Sequence, residues 1–146
     1  MSGRMVAALL IAATAASCAA PVTPSSGPSP RAAVSAEPGE EQQHEAGAVT
    51  IVASWISGTS SARVAMDTHS VDLDGFDLKE LARVRLDGGA WVSPTAWDAP
   101  KGGHHRSGTL TFGSVEPQAL AGARVIELEV RDVGVPSHLL RWERTR

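Results

Sequence analysis

Cysteine is almost absent from this chain. Cys18 is the only one, so no disulfide can form within the chain and no thiolate cage for zinc can be assembled. Tyrosine is missing altogether, which removes one common acid–base side chain. Four tryptophans and two phenylalanines are left as the large pieces of any core. Basic residues, 13 against 16 acidic, are outnumbered and form no stripe along the chain, so nucleic acid is not an expected partner. Enzyme signatures are also missing. There is no G-x-S-x-G elbow, no H-E-x-x-H, no phosphate-binding loop and no glycine-rich dinucleotide turn. Ser70 or Ser107 could be combined with a histidine and an aspartate, but no spacing singles out such a triad. Binding, not catalysis, is the expected class of function.

What is present begins at the N-terminus. Arg4 precedes an uncharged apolar run, Val6 to Ala16, that is too short to span a bilayer as a helix. The small residues Ala15-Ala16-Ser17 follow, and then Cys18. This segment resembles a bacterial lipobox, with Ala16 and Ser17 at the two positions before the cysteine and Ala15 where leucine is usual. The resemblance implies that residues 1–17 are a signal peptide and that the Cys18 thiol receives a diacylglycerol. A lone thiol in an exported protein points the same way. The alternative is ordinary cleavage after Ala19, with Ser17 and Ala19 as the small pair.

Residues 18–47 read as a tether. Pro21, Pro24, Pro28, Pro30 and Pro38 stand among small and polar residues, and Glu37 to Glu45 adds acidic and amide groups. With no aliphatic periodicity to bury, this stretch is expected to be a disordered, proline-stiffened spacer. His44 falls within it and is assigned no site role. The expected product is a lipid-anchored protein of the cell membrane, facing the periplasm or the exterior.

Residues 48–146 suffice for one core and not for two. Their pattern is β. Val49 to Ile56 is rich in β-branched residues and ends at Ser57-Gly58; Ala62 to Asp67 alternates after it. Core parity switches between Met66 and Val71, which calls for a bulge or bend. Asp77 to Glu80 reads as a capped helical turn, and Asp87-Gly88-Gly89 as a hairpin turn between Val84–Leu86 and Ala90–Val92. Pro94 to His105 reads as a long loop. Ser107–Phe112, Val125–Val130 and His138–Trp142 alternate as strands, with a second helical turn at Glu116 to Leu120. About seven short strands with two helical turns in the connections predict an all-β, Greek-key β-sandwich, immunoglobulin-like or cupredoxin-like.

Two segments look chosen for more than folding: Asp67-Thr68-His69-Ser70 and Gly102-Gly103-His104-His105-Arg106. His69, His104 and His105, with Asp67 as an oxygen donor, make a candidate site for zinc or copper, because imidazole and carboxylate suit those ions. Adjacent histidines on an extended chain point to opposite faces, so one of the pair is expected to pack or hydrogen-bond instead. His138 is a further candidate. The competing reading makes these residues structural: a hydrogen-bonded turn at Asp67–Ser70 and a pinned loop at Gly102–Arg106. A protein-interaction module of the cell envelope then becomes the function, with Pro94–Arg106 and Trp97 as its contact surface. The run Asp67–Asp74, together with Pro94…Trp97-Asp98 and Gly102–Phe112, resembles small exported bacterial and archaeal β domains with a THSVDL…GGHHRSGTLTF-type pattern. That resemblance implies an extracytoplasmic domain and carries no established activity and no site residue.

Overall fold

The computed structural model describes Gly39 to Arg144. Cys18, the signal segment and most of the tether lie outside the described residues. Among the described residues no helix is long and apolar enough to cross a membrane.

Alternation dictates the strands. In Val49–Trp55 (β2) residues Val49, Ile51, Ala53 and Trp55 are buried, and the residues between them are half-buried. Ser61–Thr68 (β3) buries Ala62, Val64, Met66 and Thr68, and it pairs antiparallel with β2 from Val49↔Thr68 to Trp55↔Ala62. Each strand gives one apolar face that must be buried against another layer, and here a second sheet stacks on it. The first sheet runs in the order β1-β2-β3-β6-β5, where β1 is Gln42–Ala46, β5 is Ala96–Trp97 and β6 is His105–Thr111. The second runs β4-β7-β8, where β4 is Ala82–Leu86, β7 is Val125–Val133 and β8 is Val135–Glu143. All pairings are antiparallel, and residues from both sheets join in one buried core. The protein is an all-β sandwich.

Trp55 anchors that core. Its ring lies 5.8 Å from Phe112 and 5.7 Å from Trp142, so three of the six Trp and Phe rings form one cluster that bridges the sheets. The two expected helical turns are present as Leu78–Leu81 (α1), capped by the Asp77 side chain on the Lys79 N–H, and Pro117–Gly122 (α2). The parity switch after Met66 is resolved differently from a bulge. The chain leaves the sheet after Thr68, and a 3₁₀ turn at Leu73–Gly75 brings Leu73 into the core.

Two expectations are corrected. The tether does not extend to Gly47. Gln42–Ala46 pairs in full with Val49–Ala53, because Gly47 at φ +62° closes a two-residue hairpin turn ahead of β2. The long loop is interrupted by β5, which adds Ala96 and Trp97 to the edge of β6, and Trp97 packs against the core.

Leu128 sits at the centre of β7, between Val84 of β4 and Leu140 of β8, and is fully buried. Leu128→Ala is expected to lower stability by about 2–5 kcal/mol in denaturant unfolding. Leu139→Ala, at an exposed position of the adjacent strand, should change it by about 0.5 kcal/mol or less.

Candidate functional site

The Gly-Gly-His-His-Arg segment is a pinned turn. Gly103 adopts φ +65°, and a Cβ on Gly102 would sit 2.5 Å from the His105 carbonyl oxygen, so both glycines are required by the backbone path. The N–H groups of Gly102 and Gly103 donate to Asp74 Oδ1 at 2.8 and 3.1 Å. The Gly103 N–H and the Gly102 N–H, in that order, hold the Asp74 carboxyl below its ordinary pKa. In return the Gly103 and His104 carbonyls accept from the Leu73 and Thr68 N–H groups.

Arg106 locks the turn from inside. It points into the sandwich, opposite Met66 on β3, and is 7% exposed. Its Nε donates to the Pro100 carbonyl, Nη1 to the Leu73 and Phe76 carbonyls at 2.9 and 2.7 Å, and Nη2 to the Ala99 carbonyl. A planar guanidinium is the one side chain with enough donors, in fixed directions, to serve two loops at once.

The three histidines of the expected metal site are used separately. His104 Nδ1 lies 2.9 Å from the Val71 carbonyl and must donate to it, so this ring staples the Thr68–Leu73 loop. His105 opens β6 directly across from Asp67 on β3, with Nδ1 2.6 Å from Asp67 Oδ1. The two side chains are 70% and 46% exposed, which makes a solvated pair on the outer face of the sheet with Nε2 left over. His69 is exposed. Thr68 provides the turn bonds, donating to the Ala48 carbonyl at 2.6 Å and accepting from the Ser70 N–H. Among the described residues no three His, Cys, Asp or Glu side chains converge as a metal-ligand set. His138 lies away from this turn, fully buried against His44 of β1.

A concave feature lies elsewhere on the same sheet. A groove of about 350 Å³ crosses the outer face of β2, β3 and β6, lined by Glu41, Val52, Ser54, Arg63, Ser107 and Thr109 among others. Register puts Arg63 between Ser54 and Thr109, so an exposed guanidinium stands among hydroxyls. On the outer face of the other sheet most of the arginines are taken up by carboxylates, and Arg131 donates to the Glu80 carbonyl. There Arg85 and Arg141 pair with Glu127, Arg83 with Glu129, and Arg141 with Glu143. The Trp91 ring is covered by both Arg83 and Arg85, each 4.5 Å from its centroid. The Arg85 hydrogen bond holds the Glu127 carboxyl below its ordinary pKa against the effect of burial.

No protein family matches the chain, and neither a curated protein nor a solved structure matches it. The function must therefore be argued from the site itself.

Sequence reasoning selected the two polar turns and missed the groove and the His44–His138 contact. The groove residues are ordinary outward positions of amphipathic strands, and nothing in their spacing marks them. The His44 strand did leave a signal: Gly47-Ala48 directly before a β-branched run is a hairpin turn, and Gln42, His44 and Ala46 share the face that pairs inward.

Arg106→Lys keeps the charge but offers a single ammonium to four carbonyls from two loops. It is expected to cost about 2–4 kcal/mol in chemical denaturation. The loss should be accompanied by increased amide exchange in Leu73–Phe76 and Ala99–Gly103 ahead of the core strands.

Proposed function

We propose that this chain is a lipid-anchored binding module that works outside the cytoplasm and engages a protein partner of the cell envelope through the outer face of its five-stranded sheet. The observation that carries this reading is the groove across β2, β3 and β6, with Arg63 exposed among hydroxyls. Such a floor suits a polar partner that brings carboxylate or carbonyl acceptors to the guanidinium. The anchor rests on the sequence around Cys18, and the polar, proline-rich residues that follow supply the reach between membrane and domain.

The metal-binding alternative, with zinc or copper held by His69, His104, His105 and Asp67, draws no support from the geometry. It needs several converging donors. His104 is committed through Nδ1 to a backbone carbonyl, and His105 through Nδ1 to Asp67. The contact surface is also better placed on the sheet than on Trp97, because that ring is packed on the core.

Two measurements test the reading. Photo-crosslinking groups placed at Arg63 or Thr109 should give a defined protein adduct in intact cells, and the same group at Ser137 on the opposite face should not. An adduct from Thr109 that survives Arg63→Glu unchanged would remove the groove from the argument. For the metal alternative, zinc or copper added to metal-stripped full-length protein should leave the melting temperature unchanged. A rise of several degrees that disappears in His69→Ala and His105→Ala would reinstate it.

A further inference from the structure

His44 and His138 lie 94 residues apart and meet where β1, the edge of the five-stranded sheet, runs along β8, the edge of the three-stranded sheet. Their Nδ1 atoms are 3.0 Å apart, and the rings stand nearly perpendicular. His138 is fully buried, with Nε2 2.7 Å from the Val133 carbonyl oxygen. A carbonyl only accepts, so Nε2 carries the proton and Nδ1 of the neutral His138 ring is bare. His44 must then donate from its own Nδ1. While His138 is neutral, the contact exists in this one arrangement of protons.

Adding protons to the two rings has unequal effects. A proton on His44 Nε2 leaves the Nδ1 donor in place and the bond intact. A proton on His138 Nδ1 removes the acceptor, so the bond survives only if His44 shifts its own proton to Nε2 and accepts in turn, and in either case a cation stands in an apolar enclosure. Among the described residues, no carboxylate from the strands packed around the ring faces it to offset the charge. Facing the pair are Ile51 of β2, Val130 and Val133 of β7, Leu140 of β8 and the uncharged Gln42 of β1. Glu45 and Arg141 belong to the outward parity of their strands, as do Glu129 and Arg131 of β7. Glu40 contributes its carbonyl to the Trp142 indole N–H, a second hydrogen bond between the β1 region and β8. Burial, first, holds the His138 pKa below the ordinary imidazole value, with a charge on His44 acting the same way, against backbone hydrogen bonds at Val133 and His44 that favour the proton.

We propose that the His44–His138 pair is an acid-operated latch, fastening β1 across the seam between the two sheets while His138 is neutral and releasing β1 once His138 is protonated. The sign follows from linkage. His138 titrates lower in the folded chain than when exposed. The stability it confers is therefore complete above about pH 6.5 and is lost as the pH falls through its folded pKa. Release would uncover the edge of β2 along Val49–Ala53, leaving the N–H and C=O groups that face β1 unpaired, an edge of the kind that accepts an added strand.

Hydrogen exchange on the full-length protein, corrected for the intrinsic effect of pH, tests the latch between about pH 7.5 and about pH 4.5. The expected result is a loss of protection by tenfold or more (on the order of 1.4 kcal/mol or above) in β1 and its β2 partners while β4 and β7 stay protected. That loss should coincide with the NMR titration of the His138 ring, at a midpoint below about 6.5. His44→Asn keeps a donor without a charge and should move the release to higher pH. His138→Gln keeps a donor for Val133 without titrating and should leave β1 protected through the acid range. The latch is overturned if β1 loses protection only together with the whole domain, or if His138→Gln releases β1 at the wild-type pH. Should that variant fail to fold, the wild-type titration decides: His138 titrating with β1 still protected also overturns the proposal.

Discussion

The pole of the sandwich that carries the histidines depends on one guanidinium. Arg106 projects inward from β6 and closes against four backbone carbonyls, two from the Leu73–Phe76 loop and two from Ala99–Pro100. Those loops leave the sheets and would otherwise present unsatisfied carbonyls to a buried space. Their positions then fix Asp74, whose carboxylate caps the Gly102 and Gly103 N–H groups, and that turn in turn aims His104 and His105. A histidine-rich motif that looks like a ligand set is largely the visible part of a loop-fastening device. In a domain without a disulfide among its described residues, hydrogen bonds and burial must hold the irregular segments.

The two outer faces of the sandwich differ in how they treat charge. On β4, β7 and β8, arginines and glutamates alternate across strands and satisfy one another, with Trp91 lying under Arg83 and Arg85. Partners this well matched offer little to an incoming molecule, because binding would have to replace contacts already made. On β2, β3 and β6 the outward residues around Arg63 are mostly small or hydroxylic, with the Asp67–His105 pair at one end of the face, and Arg63 stands exposed among them. The contrast directs attention to the five-stranded sheet as the working surface. The seam between the sheets is handled differently again, by a histidine pair whose His138 ring is buried and by an indole bond.

Much of the fold was legible from local pattern. Period-two alternation marked β2, β3, β6, β7 and β8, and the Asp77 cap and Pro117 start marked both helical turns. What failed did so for identifiable reasons. Gln42–Ala46 looks like tether because its composition is polar, yet one edge strand needs only a partner and a turn, and Gly47 supplies the turn. Trp97 looks like a loop aromatic, but tertiary packing places it on the core beside a two-residue strand.

The sequence alone determined that this domain is β, where its turns fall and which faces of its strands go inward, because alternation and turn chemistry are local and each residue carries the information itself. Tertiary structure alone decided what the histidines do. Whether an imidazole holds a metal, staples a loop or pairs with another ring depends on which atoms stand within about 3 Å of its nitrogens. For His138 that neighbour is His44, on a strand 94 residues away that only the closing of the sandwich brings into reach.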